Sequence, residues 1–91
     1  MVAGAVAAEP ALASAATAIG EAWAHEFVRS LRSQERAVIG AWPGTMREAR
    51  MRVRAAFTTK LDIQVLDELA RVANLAARRG WNEVSEPDLE P

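Results

Sequence analysis

Arg47, Arg50 and Arg54 are spaced by three and four residues, which places side chains together on one side of a helix. On a helix beginning at Met46 they lie within about 60° of one another, while Arg52 points elsewhere. A row of guanidinium groups pairs with phosphate oxygens or with carboxylates. Arg29, Arg32 and Arg36 lie upstream and could support such a contact. These six arginines are the candidate contacts for phosphate or for an acidic partner. The row also fits three plainer roles: a solvated face, pairing with Asp67 and Glu68, or a clasp on the acidic C-terminal stretch.

Other chemistry has little to draw on. His25 is the single histidine, and one imidazole does not make a metal site. Its phase sets it away from the Trp23 and Phe27 side, within reach of Glu21 or Glu26. Ser14, Ser30, Ser33 and Ser85 have no base at a defensible spacing. Gly40-Ala41-Trp42-Pro43-Gly44 lacks the lysine and preceding strand of a phosphate loop. There are no cysteines, so disulfides and thiolate metal sites are excluded. The expectation is a non-enzymatic protein with no catalytic residues, cofactor, metal or small-molecule substrate.

Tryptophan supplies the second lead. Trp23 falls in an apolar stripe and reads as core. Trp42 and Trp81 each follow a helix end, so they are expected to close the two ends of a bundle, or to anchor an interface if exposed. Gln34, Leu31 and Val38 join them as candidate interface residues, because they continue the stripe of an oversized first helix.

The elements that position these residues are helical. Leu12, Ala16, Ile19, Trp23, Phe27, Leu31, Val38 and Trp42 recur at spacings of three, four or seven. They predict one helix from Pro10 to about residue 39, some 45 Å long. Gly40 is its C-terminal cap, and a break near Gly20 or Ser30–Ser33 is the alternative to packing on another chain. Gly20, between Ala16 and Ala24, would let a second helix approach closely. Pro43-Gly44 makes the turn, and Thr45 with Glu48 has the spacing of a reciprocal cap. A second helix over 46–57 follows, with Met46, Ala49, Val53, Ala56 and Phe57 on one face.

Residues 50–57 also alternate as a strand would. A strand there would favour a ribbon-helix-helix DNA-binding dimer, but the long helical pattern that follows fits that fold poorly. Thr59 and Asp62 repeat the cap spacing and predict a third helix over 60–79. Leu61, Val65, Leu69, Val72 and Ala76 form its main stripe, widened by Ile63, Leu66, Ala70 and Ala73. Gly80 reads as its terminator.

The chain has 91 residues, one small domain, with 11 basic against 12 acidic side chains. The charge is unevenly placed: Arg29 to Lys60 is basic, and Glu83, Glu86, Asp88 and Glu90 follow the last arginine. No apolar run approaches the ~18 residues of a membrane span, and the apolar start lacks a basic leader, so a cytoplasmic setting is expected. The reading is all-α: a three-helix domain over 10–81, a flexible segment at 1–9 and an acidic flexible tail at 82–91. Dimerisation would complete so small a core. The expected role is a protein-interaction or regulatory module acting through helix–helix contacts, with a protein partner or a second copy. Nucleic-acid binding through the arginine row is the alternative.

Overall fold

The computed structural model describes the backbone of residues 10–88 and the side chains of residues 10–84. The segment 1–9 and the last three residues of the acidic tail lie outside the described residues. The fold is all-α: α1 (Pro10–Arg29), α2 (Ser33–Ile39), α3 (Met46–Ala56) and α4 (Ile63–Asp88). Among the described residues there is no strand, so residues 50–56 are helical and the strand alternative falls away.

Four helices replace the expected three because the long first helix breaks at Ser30–Arg32. The Ser30 hydroxyl donates to the Phe27 carbonyl at 2.7 Å, and the Leu31 N–H bonds back to Val28 O at 3.1 Å. These short-range bonds tighten and end the last turn. Arg32 is extended, and the Glu35 carboxylate accepts its N–H at 2.8 Å, which restarts the chain as α2. Gly40 ends α2 as expected. Its φ of 73° lies in the left-handed region that side chains avoid, and its N–H bonds to Arg36 O at 3.2 Å.

The reciprocal cap of α3 forms as its spacing predicts. Thr45 Oγ1 accepts from the Glu48 N–H at 3.2 Å, and Glu48 Oε1 accepts from the Thr45 N–H at 3.1 Å. That cap fixes the phase, and Ala49 and Val53 are buried on the inward face. Ala56, expected on that face, is exposed at the helix end. For α4 the cap is Asp62 and not Thr59: Asp62 Oδ1 accepts from the Gln64 N–H at 2.9 Å, and its carbonyl from the Leu66 N–H at 2.8 Å.

Helix α4 also departs from expectation at its other end. Gly80 does not terminate it; the helix runs through Trp81 to Asp88, so residues 82–88 of the expected tail are helical. The reason is packing. A Cβ on Gly80 would lie 3.2 Å from the Ala24 Cβ, so this glycine faces α1 within the helix. Gly20 is tighter still: a Cβ there would sit 2.0 Å from the carbonyl oxygen of Ala73. The expectation that Gly20 admits a close neighbour holds, and the neighbour is α4.

These approaches set the topology. Gly20 meets Ala73 and Ala76, Ala24 meets Gly80, and Phe27 meets Trp81, so α1 and α4 run parallel. Helix α3 runs against both. Val53 near its end joins Ala16, Leu66 and Leu69, and Ala49 near its start joins Trp23, Ala24 and Ala77. Seven of the twelve buried core residues are alanine, so backbones fill this interior by approaching closely as much as side chains do by bulk. Ile63, expected on the widened stripe of α4, is 65% exposed at the first position of the helix.

Gly20→Ala should therefore lower the unfolding free energy by about 1–3 kcal/mol through overpacking, despite the ~1 kcal/mol that alanine gains in a helix interior. Gly80→Ala, facing a methyl group and not a carbonyl, should stay within about 1 kcal/mol of the parent on the same propensity scale. Urea denaturation followed by circular dichroism separates the two. Equal effects would show that the seam does not depend on Gly20.

Candidate functional site

The arginine row is divided by its surroundings. Arg50 turns to α4, where its Nε lies 2.6 Å from Asp67 Oδ1, so one of the plainer roles applies to it. Arg52, on the opposite flank of α3, reaches Glu26 of α1 at 3.5 Å and lies 5.3 Å over the Trp23 ring. The two residues brace α3 against both neighbours. Arg47 and Arg54 stay exposed at the two ends of the helix, with Met51 exposed between them. Two separated cations remain where three adjacent ones were expected.

The upstream arginines belong to a different place. Arg29 ends α1, Arg32 precedes α2, and both are exposed, while Arg36 is half-buried on α2. They stand at the end of the bundle where α1 finishes, far from Arg54. Arg54 faces the opposite end, near the start of α4. The acidic end of α4 lies some 30 Å from that start, so it is out of reach of Arg54 in the same molecule.

The tryptophans form one cluster and do not close two ends. Trp42 packs edge-on to Trp23 at 5.0 Å between ring centroids and to Phe27 at 5.6 Å. Trp81 completes the group at 5.6 Å from Phe27 and 6.0 Å from Trp42. These separations lie in the range where aromatic pairs attract beyond simple burial. Each polar edge is satisfied: Trp42 Nε1 donates to Asn74 Oδ1 at 2.8 Å, and Trp81 Nε1 donates to Gly40 O at 2.7 Å. Phe27, Asn74 and the Gly40 carbonyl carry no local mark of this role in the sequence. One signal was present: Trp81 lies four residues after Ala77, in phase with the buried stripe of α4.

The cluster holds α2 without burying it. None of the residues of α2 is buried. Leu31, just before it, is half-buried, whereas Gln34 and Val38 are exposed, one turn apart on its outer side. Val38 is 85% exposed, more than any other large apolar side chain among the described residues. The helix is thus fixed at its C-terminal end by Gly40 and Trp81, and its outer face meets solvent.

His25 is exposed on α1, at a shallow groove of about 280 Å³ that Glu21, Arg79 and Glu83 also line. Among the described residues, no group of three or more His, Cys, Asp or Glu side chains is placed to hold a metal ion, and no helix is long and apolar enough to cross a membrane. Comparisons with family models, curated proteins and solved structures found no match to this chain.

Trp81→Phe should cost about 1–3 kcal/mol, since it removes a hydrogen bond and leaves space in a fully buried site. Amide exchange in residues 33–39 should accelerate with it; unchanged exchange there would show that Trp81 does not hold α2. The half-exposed Arg50–Asp67 pair should couple by only about 0.2–1 kcal/mol in a double-mutant cycle.

Proposed function

We propose that this protein is a helical interaction module that offers α2 to a protein partner. The observation that supports this reading is a helix with no buried residue whose C-terminal cap, Gly40, is nevertheless held by the buried Trp81. Seven residues are too few to stay helical alone, so the anchoring keeps α2 formed in the absence of a partner. A preformed helix loses little conformational entropy on docking, and its apolar face can enter a groove. Gln34 and Val38 would make that contact, with Leu31 at its edge and Arg32 beside it.

A second copy of the chain is the first partner to test. A small core built largely from alanine gains from self-association. Sedimentation at micromolar concentration is expected to show a dimer, and Val38→Asp is expected to yield a monomer of unchanged helix content. A monomeric parent would remove the dimer. A dimer indifferent to Val38→Asp would remove α2 as its interface.

The nucleic-acid alternative draws less support from the geometry, because Arg50, the middle member of the row, is engaged within the fold. Binding of random duplex should be weak and vanish as salt rises. A mobility shift that persists at physiological salt and is lost in Arg47→Ala or Arg54→Ala would restore that reading.

A further inference from the structure

At the end of the bundle away from the tryptophans, the chain turns from α3 into α4 around a concavity of about 430 Å³. Arg54, Thr58, Thr59 and Lys60 line it, all exposed. Phe57 and Leu61, half-buried, and Leu66, which is 1% exposed, supply its apolar part. The volume falls in the range of about 300–1,000 Å³ that small-molecule sites occupy.

The electrostatics of this place differ from those of the rest of α3. Arg50 and Arg52 have carboxylate partners. Among the described residues, Arg54 and Lys60 have none. The one acid of the connecting loop, Asp62, directs an oxygen to the Gln64 N–H at the start of α4. Two cations and two hydroxyl groups therefore line the concavity. A concavity lined by one sign of charge concentrates ions of the other sign, and a guanidinium beside an ammonium suits phosphate or carboxylate oxygens.

We propose that this concavity binds a small organic anion, with one phosphate or carboxylate head and an apolar body. The head lies between Arg54 and Lys60 and accepts hydrogen bonds from the Thr58 and Thr59 hydroxyls. The body rests on Phe57 and Leu61, where it displaces water from apolar surface. The site lies at the opposite end of the bundle from α2 and stands independently of the docking role proposed above.

The test uses the full chain with phenyl phosphate and hexanoate as probes, and inorganic phosphate, phenol and hexanol as controls. Binding is read from amide shifts of residues 57–62 and by calorimetry. At least one amphiphilic anion should bind at submillimolar concentration, about tenfold more tightly than inorganic phosphate and than its own neutral counterpart, and the arm that binds identifies the head group. Arg54→Glu and Lys60→Glu should each weaken it about tenfold with unchanged helix content. Arg47→Glu, on the same helix but outside the concavity, should leave it unchanged. The proposal is overturned if neither anion binds, or if inorganic phosphate or the neutral counterpart binds as tightly. It is equally overturned if binding survives Arg54→Glu with Lys60→Glu, or if Arg47→Glu weakens it as much, which would indicate diffuse attraction.

Discussion

The contact between Gly20 and the Ala73 carbonyl governs this fold. Where a Cβ would fall 2.0 Å from a backbone oxygen, only hydrogen fits, and α1 and α4 come together with almost no side chain between them. Ala16, Ala24, Ala73, Ala76, Ala77 and Gly80 extend that approach along the pair. Helices usually pack with axes about 8–10 Å apart, depending on the side chains between them. A seam of small residues gains its stability from many close van der Waals contacts and comparatively little from large apolar areas.

That economy of bulk in the seam concentrates the large side chains elsewhere. Phe27 and the three tryptophans gather where α1 ends, and they tie the segment after α2 to α4 through Gly40 and Asn74. The bundle consequently has two unlike ends. One is aromatic and carries the exposed helix α2; the other is a loop where Arg54 and Lys60 line a concavity with Phe57 and Leu61. Between them the arginines of α3 divide their work, with Arg50 and Arg52 joining helices and Arg47 and Arg54 left to solvent.

What was legible in the sequence was local. The Thr45–Glu48 cap, the phase of α3 and the Gly40 stop depend on neighbours within a few residues, and each appears as expected. A break near Ser30–Ser33 was one of two places the residues suggested, the other being Gly20, although the stripe alone favoured continuity. Gly80 illustrates the limit. A glycine after two arginines is ordinarily a helix stop, and here its role is decided by Ala24, far away in the chain. The same holds for Trp42 and Trp81, whose meeting depends on the parallel course of α1 and α4. The spacing of Arg47, Arg50 and Arg54 was readable, but that Asp67 would take Arg50 out of the row was a tertiary matter.

The parallel course of α1 and α4 also bears on the order of assembly. Val53 of α3 and Leu66 of α4 are close in sequence, so this antiparallel hairpin closes a short loop. Gly20 and Ala73 are separated by more than fifty residues, and their closure carries about 1 kcal/mol more loop entropy. Helical proteins fold fast when their contacts are local, and this seam is not. The hairpin of α3 and α4 is then the natural nucleus, with α1 docking onto a surface already formed. An alanine-lined furrow awaiting a helix from the same chain can equally receive that helix from a neighbouring chain, so this topology is open to domain exchange.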